Sequence, residues 1–212
     1  MITVEQITYL YPHSDTPIFQ DFSAHFKRGE IVAVSGKNGS GKTTLSKLLA
    51  GILQPQKGSV CIDGLSTKSQ DLFEIGQKVG YLFQNPNRQL FCETVFREIT
   101  FGLNNQGLKK QQATEKADYY LNYFNLASYR DDYPGHLSHG EKQRLALAAV
   151  LALGTDYVVL DEPTIGLDML RRRELGELLL KLCKESNCGI VLICQEAEFM
   201  ARYAERELVI PV

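Results

Sequence analysis

The stretch Gly36-Lys-Asn-Gly-Ser-Gly-Lys42-Thr43 decides the fold of this 212-residue chain. It follows the apolar run Ile31-Val-Ala-Val34 and leads into the helix-forming stretch 44–50, a strand, loop and helix context. Glycines let the backbone turn tightly and present successive N–H groups to anionic oxygens, and the helix start adds partial positive charge. The Lys42 ammonium can reach the β- and γ-phosphates, and the Thr43 hydroxyl can ligate Mg²⁺. The stretch therefore predicts a nucleoside triphosphate site; the alternative is a glycine-rich turn that holds no ligand.

Composition and charge limit the classes of protein that this chain can represent. Its 212 residues suit one sizeable domain, and a net charge of −2 with a pI near 6.1 argues against nucleic-acid binding as its main function. The longest apolar run, 145–153, is too short to span a bilayer, and the N-terminus lacks signal-peptide character. The five cysteines form no C-x-x-C pair, so we expect reduced, packing cysteines in the cytosol and no zinc site.

Strand-like runs alternate with helical periodicity along most of the chain. We predict strands at 2–4, 31–35, 59–63, 79–83, 157–160 and 189–193. Helices are predicted at 95–101, 113–124 and 139–153, and a further helix carries Leu175, Leu178, Leu179 and Leu182 on one face. This alternation predicts an α/β fold: a P-loop NTPase core whose mostly parallel sheet is covered by helices on both faces. We expect an antiparallel β-subdomain near the N-terminus and a helical subdomain at 85–150, inserted between core segments 1–84 and 151–212.

A second nucleotide element is Tyr157-Val-Val-Leu-Asp161-Glu162-Pro163, an apolar strand that ends in two acidic residues. In the predicted fold Asp161 lies beside the Mg²⁺ of the phosphate loop, and Glu162 can accept a proton from an attacking water. Taken alone, such a pair is equally explained by an ordinary boundary between strand and loop. Its place about 120 residues after a phosphate loop favours the catalytic interpretation.

The third element is Leu137-Ser138-His139-Gly140-Glu141, at the start of a predicted helix. Ser138 and Glu141 form a capping box, which could be the whole role of the element, although a capped helix start with a glycine is also an anion site. Together with the phosphate loop and the acidic pair, the element resembles the ATPase subunits of ATP-binding-cassette (ABC) transporters. Their signature usually reads Leu-Ser-Gly-Gly-Gln, so His139 and Glu141 depart from it. The resemblance covers nearly the whole chain.

The resemblance implies roles for individual residues. Nucleotide binding would fall to an adenine-stacking aromatic and to the phosphate loop: Tyr11, Gly36, Lys37, Asn38, Gly39, Ser40, Gly41, Lys42, Thr43 and Thr44. Mg²⁺ would be held by Thr43, Gln84 and Asp161, and catalysis would use Glu162, Gln84 and Gln195. ATP on a second ATPase subunit would be bound by Ser138, His139, Gly140 and Glu141, with Asp168 communicating across that dimer. For Tyr11, an ordinary core or surface position is the alternative.

One stretch narrows the resemblance further. The run 82–91, followed by Thr94-Val-Phe-Arg-Glu98 and Phe101-Gly102, is similar to energy-coupling-factor and cobalt-type importer ATPases. This similarity implies uptake of a micronutrient, a vitamin or a metal ion, through integral membrane subunits. The ATPase would then sit peripherally on the cytoplasmic face of the cell membrane. In this family the membrane subunits choose the transported substrate, and the ATPase dimer here could be homo- or heteromeric. No nucleic-acid partner is expected.

The largest departure from the family lies at Cys194-Gln195, where a Thr-His pair usually brings a histidine to the γ-phosphate. The four histidines are at 13, 25, 136 and 139, so no imidazole follows Glu162. A glutamine donates hydrogen bonds but cannot carry the positive charge or titrate. We expect this loss to slow hydrolysis, commonly by on the order of 10²-fold or more. Glu141 would add repulsion near a partner's γ-phosphate unless it stays folded back on its own helix end.

Three functions from different classes fit these observations. The first is a transport-energising ATPase, and the second is a weakly hydrolysing, nucleotide-binding regulatory half of an asymmetric heterodimer. The third is a soluble ABC ATPase of DNA repair or translation, which the short segment between Thr43 and Ser138 and the single visible cassette disfavour. Because the family usually continues beyond Glu207-Leu-Val-Ile210, the chain could be a minimal subunit, a shortened one or half of a tandem protein.

Overall fold

The computed structural model describes residues 1–210, which form two sheets and seven α-helices. The strands are β1 (Ile2–Tyr9), β2 (Phe19–Phe26), β3 (Ile31–Ser35), β4 (Lys57–Ile62), β5 (Leu65–Ser66), β6 (Val79–Leu82), β7 (Tyr157–Asp161), β8 (Gly189–Ile193) and β9 (Arg206–Val209). The helices are α1 (Lys42–Leu49), α2 (Leu72–Gly76), α3 (Val95–Asn105), α4 (Lys110–Tyr123), α5 (His139–Ala152), α6 (Met169–Ser186) and α7 (Ala197–Tyr203). All the predicted elements are present, and β1 and α3 are longer than predicted.

The central sheet is parallel, with strand order β6-β7-β8-β3-β9. In its register Val34 lies opposite Ile193, and Leu160 lies opposite Leu192. The inner strands are almost wholly apolar because helices cover both faces. Val159 packs in the cluster that contains the leucines of α1, whereas Leu160 packs in the cluster of α5 and α6. The predicted α/β fold is therefore confirmed, and the carboxyl ends of the strands meet at one edge.

The second sheet is antiparallel, with strand order β2-β1-β4-β5, as predicted for the N-terminal part of the chain. Ile2 of β1 lies between Phe26 of β2 and Ile62 of β4. Strand β2 was not predicted, because its sequence mixes polar and apolar residues and only its two end residues are fully buried. In addition, Asp21 takes a left-handed backbone conformation (φ 53°) that interrupts the alternation of the strand.

Arg28 joins the two sheets. Its guanidinium donates hydrogen bonds to Asp63 after β4, at 2.6 Å, and to both carboxylate oxygens of Asp156 before β7, at 2.7 Å. Asp63 also accepts a hydrogen bond from the Tyr157 hydroxyl at 2.8 Å. Burial raises the pKa of Asp63, but the hydrogen bonds from the N-terminal ammonium, Arg28 and Tyr157 outweigh it and hold this pKa well below its usual range. The network therefore keeps Asp63 ionised between the sheets.

Helices α3, α4 and α5 lie between β6 and β7 along the chain and pack on one another. Their shared core contains Ile99, Leu121 and Leu147, one residue from each helix. The Tyr120 hydroxyl of α4 donates to the carbonyl of Leu151 on α5 at 3.0 Å. The division of the chain at residues 85 and 150 stays a prediction. Within residues 1–210, no helix combines the length and the apolar character that crossing a membrane requires.

Candidate functional site

The phosphate loop connects β3 to α1, as predicted. Gly39 and Gly41 adopt left-handed backbone conformations (φ 84° and 101°), and a side chain at Gly41 would come within 2.5 Å of Ile18. Glycine is thus required for this close turn. Helix α1 begins at Lys42 with no side-chain cap and no acidic residue in its first turn. No side chain of α1 therefore competes with an anion for the first N–H groups.

Lys42 is buried within the phosphate loop. Its ammonium donates hydrogen bonds to the backbone carbonyls of Gly36 at 2.8 Å and Lys37 at 3.0 Å. The hydroxyl of Ser40 is also buried there and has no hydrogen-bond partner in the described part of the chain. The loop thus contains a positive charge and an unpaired hydroxyl where phosphate oxygens would lie.

Asp161 ends β7 beside the phosphate loop. Its side chain is only 1% exposed, and this burial raises the pKa of the carboxyl. The Ser46 hydroxyl donates to Oδ2 at 3.5 Å, whereas Oδ1 has no hydrogen-bond partner among residues 1–210. An unpaired buried carboxylate oxygen is costly, and Mg²⁺ prefers such oxygen ligands. Because Thr43 lines the same cavity, the residues present fit a Mg²⁺ ion.

Glu162 follows in a left-handed backbone conformation (φ 53°). This conformation costs a residue with a side chain about 1 kcal/mol, so the surroundings must hold it. The Glu162 N–H donates to the carbonyl of Ile193 at 2.8 Å, which ties the turn to the end of β8. Its Oε1 accepts a hydrogen bond from Nε2 of Gln195, also at 2.8 Å. The carboxylate and the amide are therefore fixed side by side.

A cavity of about 450 Å³ brings most of the predicted nucleotide and catalytic residues together. Its lining includes Tyr11, Asn38, Gly39, Gly41, Lys42, Thr43, Thr44, Gln84, Asp161, Glu162 and Gln195. The Tyr11 hydroxyl shares a hydrogen bond of 3.0 Å with Oγ1 of Thr44, and the ring meets Tyr9 edge to face. With 36% of Tyr11 exposed, its ring stands at the cavity rim. Stacking on adenine stays a prediction for this residue.

The signature-like residues 138–141 lie at the start of α5, and none of them lines this cavity. His139 lines a neighbouring cavity, which Gln84 also lines. Ser138 and Glu141 form the predicted capping box: Glu141 accepts from the Ser138 N–H at 2.8 Å, and its own N–H donates to the Ser138 hydroxyl at 3.4 Å. Hydrogen bonds from Ser138 lower the pKa of Glu141. Glu141 is therefore an anion that is folded back on its own helix end.

The segment 162–168 leads from β7 to α6. Asp168 caps α6, since its Oδ1 accepts a hydrogen bond from the Arg171 N–H at 2.8 Å. Gly140 of α5 packs against this segment so closely that a side chain there would lie 2.7 Å from the carbonyl oxygen of Gly166. The start of α5 and the loop before α6 are thus in direct backbone contact.

The sequence-based predictions missed two polar residues of the site. Ser46 of α1 hydrogen-bonds the Tyr81 hydroxyl at 3.1 Å and also reaches Asp161. Gln143 of α5 is fully buried and donates to the backbone carbonyl of Glu162 at 3.4 Å. Ser46 and Gln143 each interrupt the apolar face of their helix. Such an interruption is the sequence signal that could have indicated a buried polar contact.

A phosphate loop between strand and helix, with a buried acidic pair at the end of a parallel strand, defines a P-loop nucleotide-hydrolysing domain. Residues 19–165 match the family model described as ABC transporter, and the chain belongs to this family. It is an ABC-transporter ATPase domain, as the resemblance implied.

Named relatives agree with this assignment. Over 188 residues the chain is 44% identical to the energy-coupling factor transporter ATP-binding protein EcfA1 of Fusobacterium nucleatum, covering 88% of this chain and 69% of that protein. It is 39% identical over 210 residues to an ABC transporter ATP-binding protein of Pyrococcus furiosus, covering 99% of this chain and 80% of the relative. A Methanosarcina acetivorans relative with the same description is 39% identical, and this chain spans 34% of its length.

Solved structures show the same fold. A dimeric ATP-binding cassette in a post-hydrolysis state, bound to ADP and Pi, superposes with a TM-score of 0.90 at 25% identity, covering 99% of this chain and 94% of that one. The structure of cbiO1 from Clostridium perfringens, part of the ABC transporter complex cbiONQ, gives a TM-score of 0.82 at 30% identity. That comparison covers 98% of this chain and 83% of cbiO1.

Proposed function

We propose that this chain hydrolyses ATP to power a membrane importer of a micronutrient, a vitamin or a metal ion, through ATP-driven closure of a dimer. The single observation that carries the proposal is the position of the Asp161-Glu162 pair in the phosphate-loop cavity, where Gln195 donates a hydrogen bond to Glu162. The similarities to EcfA1 and cbiO1, both named as parts of transporters, support the importer class. In this proposal the chain is bound peripherally to the cytoplasmic face of the membrane.

The loop side of the cavity binds the nucleotide. Lys42 and the first N–H groups of α1 bind phosphate oxygens, and the exposed ring of Tyr11 stacks on the base. Thr43 and Asp161 would hold Mg²⁺, with Gln84 as a further oxygen ligand. When bound, Mg²⁺ neutralises negative charge on the phosphates.

The opposite side of the cavity, with Glu162 and Gln195, catalyses the transfer of the γ-phosphoryl group to water. Glu162 accepts a proton from the water whose oxygen attacks the γ-phosphorus. At the same time the bond from that phosphorus to the β–γ bridging oxygen breaks, and ADP leaves with the electron pair. Gln195 donates one amide hydrogen to Glu162 and has a second for a γ-phosphate oxygen. It orients the base without adding positive charge.

A second ATPase subunit would complete the site. Ser138 and Gly140 lie outside the phosphate-loop cavity of their own chain, at the N-terminus of α5, and a helix N-terminus can bind an anion. Next to Asp168, Met169 and Leu170 are 87% and 61% exposed, which is unusual for adjacent apolar side chains. A single face-to-face dimer would bury these two side chains and would also bring Ser138 to the γ-phosphate bound by the partner.

The membrane partner would dock near Gln84. Phe91 and Phe101 are 67% and 47% exposed and meet edge to face at 4.9 Å. Buried Glu98 holds the backbone at Phe91, because its Oε2 accepts hydrogen bonds from the N–H groups of Phe91 at 3.0 Å and Cys92 at 2.7 Å. Such an exposed aromatic pair fits an apolar segment of a membrane subunit.

ATP turnover with the membrane subunits present tests the proposal. We expect Glu162→Gln to lower kcat by about 10²-fold or more while ATP binding persists, because the carboxylate acts in the transition state. Glu185→Gln is the matched control, since Glu185 is an exposed carboxylate at the end of α6. Equal turnover of the wild type and Glu162→Gln would refute the general-base assignment.

The weakly hydrolysing regulatory half of an unequal dimer is a second candidate, favoured by Gln195. Glutamine cannot supply the positive charge that a histidine brings to the γ-phosphate. In this case Gln195→His should raise turnover at the site built on this chain's own phosphate loop. Unchanged turnover would count against the regulatory interpretation.

A further inference from the structure

Gln143 is a fully buried amide on α5 with an unusual set of contacts. Its Nε2 lies 3.4 Å from the carbonyl oxygens of both Glu162 and Pro163. Its Oε1 has no hydrogen-bond partner within residues 1–210. An unpaired buried acceptor costs about 1–3 kcal/mol, so a methionine or leucine would stabilise this core better. Packing alone does not explain a glutamine at this position.

The turn that Gln143 contacts carries the carboxylate of the acidic pair. Glu162 is held in a left-handed backbone conformation (φ 53°), which persists only where the surroundings impose it. From one side its N–H is bonded to Ile193, and from the other its carbonyl accepts the Ile165 N–H at 3.3 Å. Gln143 adds a donor at the same carbonyl. Because the backbone sets the direction of Cβ, donors at this carbonyl help to aim the Glu162 side chain.

A second contact joins α5 to the same segment. One turn before Gln143, Gly140 lies against Gly166 with no room for a side chain. Gly166 itself has φ 76°, and a Cβ there would lie 3.2 Å from the ring of His139. The first two turns of α5 therefore contact the 162–168 segment at two places, at Glu162 and Pro163 and again at Gly166. A shift at the helix start is transmitted to that segment, because a close-packed interior leaves no slack.

We propose that Gln143 is a positioning residue that holds the Glu162 turn in its hydrolytic geometry and couples it to the occupancy of the α5 helix start. The inference rests on the proposed function, which takes Glu162 as the base and Ser138 as a contact to the partner's nucleotide. A nucleotide at Ser138 then acts through Gln143 on the carboxylate in this chain's own cavity. The two sites of the dimer are thereby linked within one chain.

The variant Gln143→Met keeps the volume and removes both polar atoms. We expect kcat to fall about 10-fold with the KM for ATP changed less than about twofold, because a misaimed base affects the transition state and not the binding of ATP. Amide hydrogen exchange at residues 162–168 should become faster, and the ATP dependence of turnover should lose cooperativity. Thr100→Val is the control: it removes another hydrogen bond from a buried side chain to a backbone carbonyl, from the Thr100 hydroxyl to Phe96 at 3.1 Å, away from this turn.

ATP turnover and amide hydrogen exchange together distinguish a failure of this inference from a failure of the proposed function. Unchanged exchange at 162–168 in Gln143→Met overturns the inference, whether or not the chain turns over ATP. Faster exchange everywhere, as from general destabilisation, also overturns it. A failure of the proposed function would show instead as full turnover by Glu162→Gln, and the exchange readout would still decide the role of Gln143. If Gln143→Met does not fold, Gln143→Leu is measured in the same way.

Discussion

The side-chain amide of Gln195 donates a 2.8 Å hydrogen bond to the carboxylate of Glu162. This contact connects the end of β8 to the end of β7, at the edge where the phosphate loop also lies. The resemblance implies a histidine at this position, and this chain has an uncharged donor instead. Gln195 can therefore orient Glu162 but cannot supply a positive charge.

Removing the Gln195 amide should misalign the base. For Gln195→Ala we expect kcat to fall about 10-fold with the affinity for ATP changed much less, because the amide orients Glu162 and reaches one γ-phosphate oxygen, whereas Lys42 and the first N–H groups of α1 bind the phosphates. Steady-state turnover and a titration with a fluorescent ATP analogue measure the two quantities. Gln111→Ala, at an exposed position of α4, is the control. An unchanged kcat would show that Glu162 does not need this contact.

Asp161→Asn should stabilise the metal-free chain at neutral pH. Burial raises the pKa of Asp161 above its unfolded value, so the ionised carboxylate destabilises the fold above that unfolded value. This destabilisation disappears as the pH falls through the raised pKa. In EDTA we thus expect the variant to have the higher Tm at pH 8, with the gap closing towards acidic pH. A higher Tm for the wild type under these conditions would contradict the argument.

The same variant should lose the response to Mg²⁺. A ligand that binds only the folded state raises Tm, so Mg²⁺ and ATP together should stabilise the wild type more than Asp161→Asn. Turnover should fall by about 10²-fold or more, since Asp161 offers the unpaired oxygen of the site. Equal stabilisation of both proteins by Mg²⁺ would place the metal elsewhere.

Glu141→Gln should improve the use of ATP in a dimer. The glutamine preserves the capping box with Ser138 but removes a negative charge from the helix start. Near a partner's γ-phosphate this should lower the KM for ATP by about threefold at low ionic strength, and salt should abolish the difference by screening. Measuring KM at two salt concentrations tests this. Identical KM values at low salt would mean that Glu141 does not face bound phosphate.

Phe91→Ser should uncouple the ATPase from its membrane partner. Because Phe91 is exposed and lies outside the phosphate-loop cavity, the basal turnover of the isolated chain should not change. Stimulation by the membrane subunits should fall several-fold. Phe73→Ser is the matched control, since Phe73 is 60% exposed on α2. Full stimulation of the Phe91→Ser variant would show that the Phe91–Phe101 pair is not part of the docking surface.

Local sequence patterns predicted the parts of the site that follow one another along the chain. The phosphate loop and the acidic pair were identifiable because strand, loop and helix signals flank them in order. The contact between Ser46 and Asp161 and the burial of Gln143 were not, because their partners lie 115 and 19 residues away. Strand β2 was missed for a related reason: its polar side chains obscure the alternation, and pairing with β1 stabilises it.

The sequence by itself determined that the chain has a phosphate loop, an acidic pair and no histidine after Glu162. These are properties of residue type and spacing. Only the tertiary structure decided that Gln195 bonds to Glu162, that Glu141 folds back onto Ser138, and that one oxygen of Asp161 has no hydrogen-bond partner among residues 1–210. Hydrogen bonding and burial depend on which strand ends meet in space, and that meeting is set by the sheet order and not by distance along the chain.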